Sequence, residues 1–94
     1  MEGLDPAPFS LMYYVYVLRS LRVKDEFYVG YTSDLRQRLS EHNQGQSFHT
    51  KKFMPWELLY YEAYMTEALA IQRERRLKHH GKGLDELKKR AIEG

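Results

Sequence analysis

The chain has 94 residues, a formal net charge of +2, 43% hydrophobic and 14% aromatic residues, and no cysteine. That length holds one domain around one core, and the composition excludes a disordered or low-complexity chain. The missing thiols exclude a disulfide framework, thiolate zinc sites and cysteine chemistry, and they fit a reducing cytoplasm.

Residues 1–11 carry Glu2, Asp5, Pro6 and Pro8 where a signal peptide needs basic residues and an apolar run. They read as a flexible tail, with Met12 as an alternative start, and residues 12–94 as a single domain. No apolar run has the length of a membrane span, so no membrane contact is expected. Residues 13–19 form an unbroken Val- and Tyr-rich stretch, the pattern of a central strand covered on both faces. Ser20 to Glu26 suits a hairpin connection. Residues 27–31 form a second strand, in which Gly30 signals a bulge or a close approach to the backbone.

Ser33 or Asp34 caps a helix that runs to His42 or Asn43 and stops at Gly45. Its inward stripe is Leu35, Arg38, Leu39 and His42. A polar loop with His49, Lys51 and Lys52 leads to Pro55-Trp56, where Trp56 reads as a core or strand-edge anchor. Leu58 to Tyr64 is the third strand. Thr66 then caps a helix that reaches His79 and stops before Gly81, and a short helix over 84–92 closes the core. The order β-β-α-β-α-α predicts an α+β fold, a small three-stranded antiparallel sheet flanked by helices.

Two charges stand where apolar side chains belong. Arg38 lies on the first helix's stripe, and at 100° per residue Ala70, Ile71 and Leu77 surround Glu74 on the second. Inward charges need partners, and a phosphate and a metal ion are the partners that suit this pair. Arg73, Arg75, Arg76, Lys78 and Lys82 make a basic face around Glu74, available to phosphates.

The segments Tyr14-Val15-Tyr16, Tyr28-Val29-Gly30, Thr32-Ser33-Asp34-Leu35-Arg36-Gln37-Arg38 and Gln72-Arg73-Glu74-Arg75-Arg76-Leu77-Lys78 follow one another in a recognisable order. In that order the chain resembles the GIY-YIG nuclease superfamily, in particular its small stand-alone bacterial members and the N-terminal nuclease domain of UvrC. Tyr14 and Val15 replace the glycine and isoleucine of the first signature, and Val29 replaces the isoleucine of the second.

The resemblance implies a metal-dependent endonuclease that hydrolyses DNA phosphodiester bonds in repair or recombination. Arg38 takes the place of the catalytic arginine and Glu74 that of the metal-binding glutamate, holding one Mg²⁺ or Mn²⁺. Tyr16 or Tyr28 serves as general base with His42 assisting. Lys51, Lys52, Arg73, Arg76 and Lys78 are the candidates for the nucleic-acid backbone, and a protein partner for targeting is expected where no recognition domain is attached. The alternative is a noncatalytic nucleic-acid-binding module whose tyrosines stack on bases and whose basic helix tracks phosphates. Glu74 separates the two, because an inward carboxylate repels phosphate unless a metal stands between them.

Overall fold

The structure, a computed structural model, describes residues 12–79 and 81–93. The expected tail at residues 1–11 lies outside them. Strand β1 (Tyr13–Ser20) is central, flanked antiparallel by β2 (Phe27–Thr32) and β3 (Trp56–Tyr64) in the order β2-β1-β3. Three helices follow the predicted order: α1 (Leu35–Asn43) after β2, then α2 (Glu67–His79) and α3 (Gly81–Glu93) after β3. Among the described residues no helix is long and apolar enough to cross a membrane.

Alternation along β1 splits the core in two. Val15 and Val17 join Val29, Ala70, Leu77 and Leu87 under α2 and α3. Tyr16 and Leu18 join Trp56 on the opposite face, where Leu35 and Leu39 of α1 pack. A central strand buried on both faces reads as an apolar run for this reason.

Helix starts follow their caps. Asp34 Oδ1 accepts the Gln37 amide at 3.0 Å, and Thr66 Oγ1 accepts that of Leu69 at 3.2 Å. Helix α2 ends at His79, before Gly81 as expected, and Gly81 opens α3, so that helix begins three residues earlier than the apolar pattern predicts. Strand β3 likewise begins at Trp56 rather than Leu58. Asn43, the last residue of α1, grips both backbone groups of Trp56: its Oδ1 accepts the amide at 2.5 Å and its Nδ2 donates to the carbonyl at 3.0 Å. A side chain here supplies the pairing that a neighbouring strand would give. Trp56 is buried, with Nε1 donating to the Thr50 carbonyl at 3.0 Å.

The bulge falls in a different place from the one Gly30 suggested. Val17 pairs with Tyr60 and Leu18 with Leu58, so Leu59 is the extra residue on β3. One unpaired residue reverses the facing of everything beyond it. Leu58 packs toward α1, whereas Leu59, Tyr60 and Tyr64 pack toward α2 and α3.

Glu62 shares the face of Tyr60 and Tyr64 and meets Arg73 of α2 in a two-bond pair, Nε to Oε1 and Nη2 to Oε2, both 2.9 Å. The hydroxyls of Tyr60 and Tyr64 each donate to the same carboxylate at 2.7 Å. Burial alone would raise the carboxyl of Glu62; the hydrogen bonds from Arg73, Tyr60 and Tyr64 outweigh it and hold the pKa at about 2.

Gly30 stands opposite Tyr16 in the β1–β2 register. A Cβ there would lie 2.5 Å from the Tyr16 hydroxyl oxygen and 2.7 Å from Cζ, so the missing side chain is what admits the phenol. Gly30→Ala is expected to destabilise the fold by about 1–3 kcal/mol through overpacking, measured by chemical denaturation. Glu62→Gln, which leaves the Arg73 guanidinium without its counter-charge, is expected to cost a similar ~1–3 kcal/mol. The Glu62 pKa is depressed on folding, so its contribution is complete above about pH 4.5 and is lost as pH falls toward about 2. Denaturation midpoints of wild type and Glu62→Gln should therefore converge across that interval.

Candidate active site

Across Gly30 the Tyr16 phenol reaches His42 of α1, with the hydroxyl 3.0 Å from Nε2. His42 Nδ1 lies 2.7 Å from Thr50 Oγ1, in the loop between α1 and β3. All three residues are at most 1% exposed. A neutral imidazole donates from one nitrogen and accepts at the other, so both hydrogen bonds can form at once only along a directed chain. Burial is the main reason that His42 titrates at about 4, with the Arg38 charge adding to the drop and Glu41 opposing it. At neutral pH the ring is uncharged.

The same burial drives the Tyr16 phenol up to about 12. The Arg38 guanidinium beside it opposes that rise, while Tyr28 and Glu74 reinforce it. Both helical charges thus act on one phenol. Arg38 comes from α1 on one face of the sheet and Glu74 from α2 on the other. The phenol they influence stands against Gly30 of the edge strand β2, whose missing side chain makes room for it.

Arg38 is about one-third exposed and donates from Nη1 to Glu41 Oε1 at 2.8 Å, which fixes one edge of the guanidinium. The rest of the guanidinium, close enough to act on Tyr16, is suited to a phosphate oxygen. The Glu74 side chain is 17% exposed and pairs with Lys78 Nζ at 3.1 Å. That ammonium also lies 5.3 Å from the centroid of the Tyr28 ring. Tyr28 in turn packs against His42, ring centroids 5.0 Å apart, and against Tyr16 at 6.3 Å.

A cavity of about 570 Å³ opens beside this cluster, lined by Tyr28, Thr50, Trp56 and Lys78 among others. Its size is that of a ligand pocket. Among the described residues no three His, Asp or Glu side chains converge as ligands of one ion. A single carboxylate still fits Mg²⁺, which keeps several waters and completes its shell with phosphate oxygens.

Of the residues that sequence reasoning selected, Tyr16, Tyr28, Arg38, His42, Glu74 and Lys78 therefore gather at the β2 edge. Arg73 does not join them, because its guanidinium is committed to Glu62. Arg76 is exposed and lines an outer depression with Gln72, Arg75 and His79. Lys51 and Lys52 stand exposed on a single 3₁₀ turn, Lys51–Phe53, after the loop. Thr50 was not foreseen. It carries no signal of its own: a threonine in a polar loop becomes functional only when the fold lowers it onto His42.

Comparison with known proteins identifies the domain. Residues 12–88 match the GIY-YIG catalytic domain. A UPF0213 protein of Bacillus pumilus is 40% identical over 67 residues, 70% of this chain and 66% of the relative. One from Streptococcus pyogenes serotype M3 is 40% identical over 62 residues, 65% of each. The chain thus spans just under two thirds of these relatives. A UPF0213 protein of Haloquadratum walsbyi is 32% identical over 69 residues, 72% of this chain and 75% of the relative. The solution NMR structure of a UPF0213 protein from Bacillus halodurans superposes with a TM-score of 0.50 at 28% identity, covering 82% of this chain and 85% of that one. With the family's catalytic domain matched over residues 12–88, most of its length, the chain belongs to the GIY-YIG family of nuclease domains.

Proposed function

We propose that the domain is an endonuclease that hydrolyses DNA phosphodiester bonds with the help of one divalent cation, in repair or recombination. The observation that carries this reading is the packing of Tyr16, Tyr28 and His42 against one another, with His42 on the helix of Arg38 and with the Glu74–Lys78 pair reaching Tyr28 from the other helix. A base-stacking module has no use for that carboxylate.

Hydrolysis concentrates negative charge on the phosphate oxygens and the leaving oxygen, so pre-placed positive groups lower the barrier. Arg38, steadied by Glu41, takes a phosphate oxygen. Glu74 would hold the cation, Mg²⁺ or Mn²⁺, which supplies positive charge to the phosphate and the departing oxyanion. Lys78 now neutralises that carboxylate; it lies between Glu74 and Tyr28 and turns to the nucleic-acid backbone when the carboxylate is engaged.

Tyr16 is too buried to meet a water molecule directly. Tyr28, half-buried on the cavity wall, is the phenol that orients the attacking water. Tyr16 and His42 act behind it. With Tyr16 donating to Nε2, the Nδ1–H donates to Thr50; with the chain reversed, Nε2–H donates to the phenol oxygen and Thr50 donates to Nδ1. Both arrangements leave phenol and ring neutral, in keeping with the burial that raises one pKa and lowers the other, so the buried dyad acts by holding Tyr28 in place through its ring contacts.

Arg38→Ala and Glu74→Ala are each expected to lower nicking of supercoiled plasmid in Mg²⁺ or Mn²⁺ by about 100- to 1,000-fold, with melting temperatures near wild type. Equal nicking by wild type and Glu74→Ala would end the metal-site reading. The His42 ring should titrate by NMR with a midpoint near 4. Because that pKa falls on folding, the ring's contribution to stability is complete above about pH 6.5 and declines as pH drops through about 4. A midpoint at 6.5 would mean a hydrated ring and no buried chain.

A further inference from the structure

The loop between α1 and β3 presents a ring that the hydrolytic chemistry does not use. Phe48 is 78% exposed. A lone apolar side chain on a surface is ordinary, but this one is set among cations. Lys51 Nζ lies 5.4 Å from the centroid of its ring, Lys52 follows, and neighbouring His49 lines the cavity beside Tyr28. Glu26, at the opposite end of that cavity's wall in sequence, is its only acid among the described residues.

The loop is held firmly. The backbone amides of Thr50 and Lys51 both donate to the Ser47 carbonyl, at 3.2 and 3.0 Å, closing a turn with Phe48 at its start. Thr50 is anchored below by His42 and, through its carbonyl, by Trp56. Phe48 thus stands two residues from a side chain that touches the catalytic imidazole. A ring with an ammonium against it and water over most of its surface has the form of a stacking platform: the ring takes a base and the cation takes the adjoining phosphate.

We propose that Phe48 stacks an unpaired base while Lys51 and Lys52 hold the flanking phosphates, so that the substrate class is nucleic acid with unpaired nucleotides beside the cleaved bond. This rests on the nuclease reading for the position of the cut but not for the stacking itself. In an intact duplex the faces of the bases are already covered by their neighbours, and an outside ring gains nothing from them. In a single strand, bulge or branch the face is free.

The test is metal-free binding to a single-stranded oligonucleotide carrying 2-aminopurine and to a blunt duplex of the same sequence, read by anisotropy and by quenching. Wild type, Phe48→Ala and Phe48→Trp are compared. Wild type is expected to prefer the single strand and to quench the probe. Phe48→Ala should weaken single-strand binding by roughly 5- to 150-fold, the range spanned by loss of one base–aromatic stack. It should also abolish the quenching and leave duplex affinity unchanged; Phe48→Trp should restore both. Wild-type affinity and quenching in Phe48→Ala, or an equal loss on duplex and single strand, would overturn the proposal. Plasmid nicking in Mg²⁺ without Phe48-dependent stacking overturns this inference and leaves the nuclease reading intact. Stacking without nicking does the reverse.

Discussion

The Tyr16–His42 hydrogen bond joins the central strand to the helix that carries Arg38, and it does so inside the core, where an unmade hydrogen bond is expensive. Every other feature of the site is arranged so that this bond can form. Gly30 withholds a side chain so that the phenol can cross β2. Thr50 closes the second ring nitrogen. Asn43 ties the end of α1 to the start of β3, fixing the loop that delivers Thr50. Among the described residues no buried side-chain nitrogen or oxygen is left without a partner. A fully satisfied polar chain of this kind sets geometry sharply, because any shift of one member strands the next.

The edge position of β2 explains how one small sheet assembles a site from both of its faces. Arg38 and Glu74 sit on helices packed against opposite faces of the sheet, yet both charges act on the buried Tyr16 phenol, which stands beside the edge strand β2. An exposed edge is ordinarily a liability for aggregation. Here the cavity beside it, walled by Tyr28, Lys78 and the α1–β3 loop, gives that edge a charged and aromatic border.

Two ion pairs on α2 show why charge on a helix is not by itself a functional signal. Arg73 and Glu74 are neighbours in sequence, and both are partly buried. Arg73 is satisfied by Glu62, whose carboxylate also accepts from two tyrosine hydroxyls, a closed structural cluster under the sheet. Glu74 has a flexible lysine as its ion-pair partner, and that lysine borders a cavity. An ionic contact with a mobile surface ammonium is easily exchanged for another cation, whereas a two-bond guanidinium pair is not.

The sequence by itself determined the element order, the central place of β1, the helix caps, and the inward direction of Arg38, His42 and Glu74, since all of these follow from local periodicity and capping chemistry. The Leu- and Tyr-rich run of residues 58–64 gave no sign of the bulge at Leu59, because a bulge is created by pairing with another strand and has no local signature here. That bulge sends Leu58 to the α1 side and Tyr60 to the other. Strand pairing likewise decided that Gly30 faces Tyr16, which turns a glycine into a passage for a phenol. Packing between distant segments decided that Thr50 completes the histidine, that Glu62 claims Arg73, and that Phe48 is left facing water. Each is a contact between residues far apart in the chain or the absence of one, and such contacts exist only once the sheet has closed.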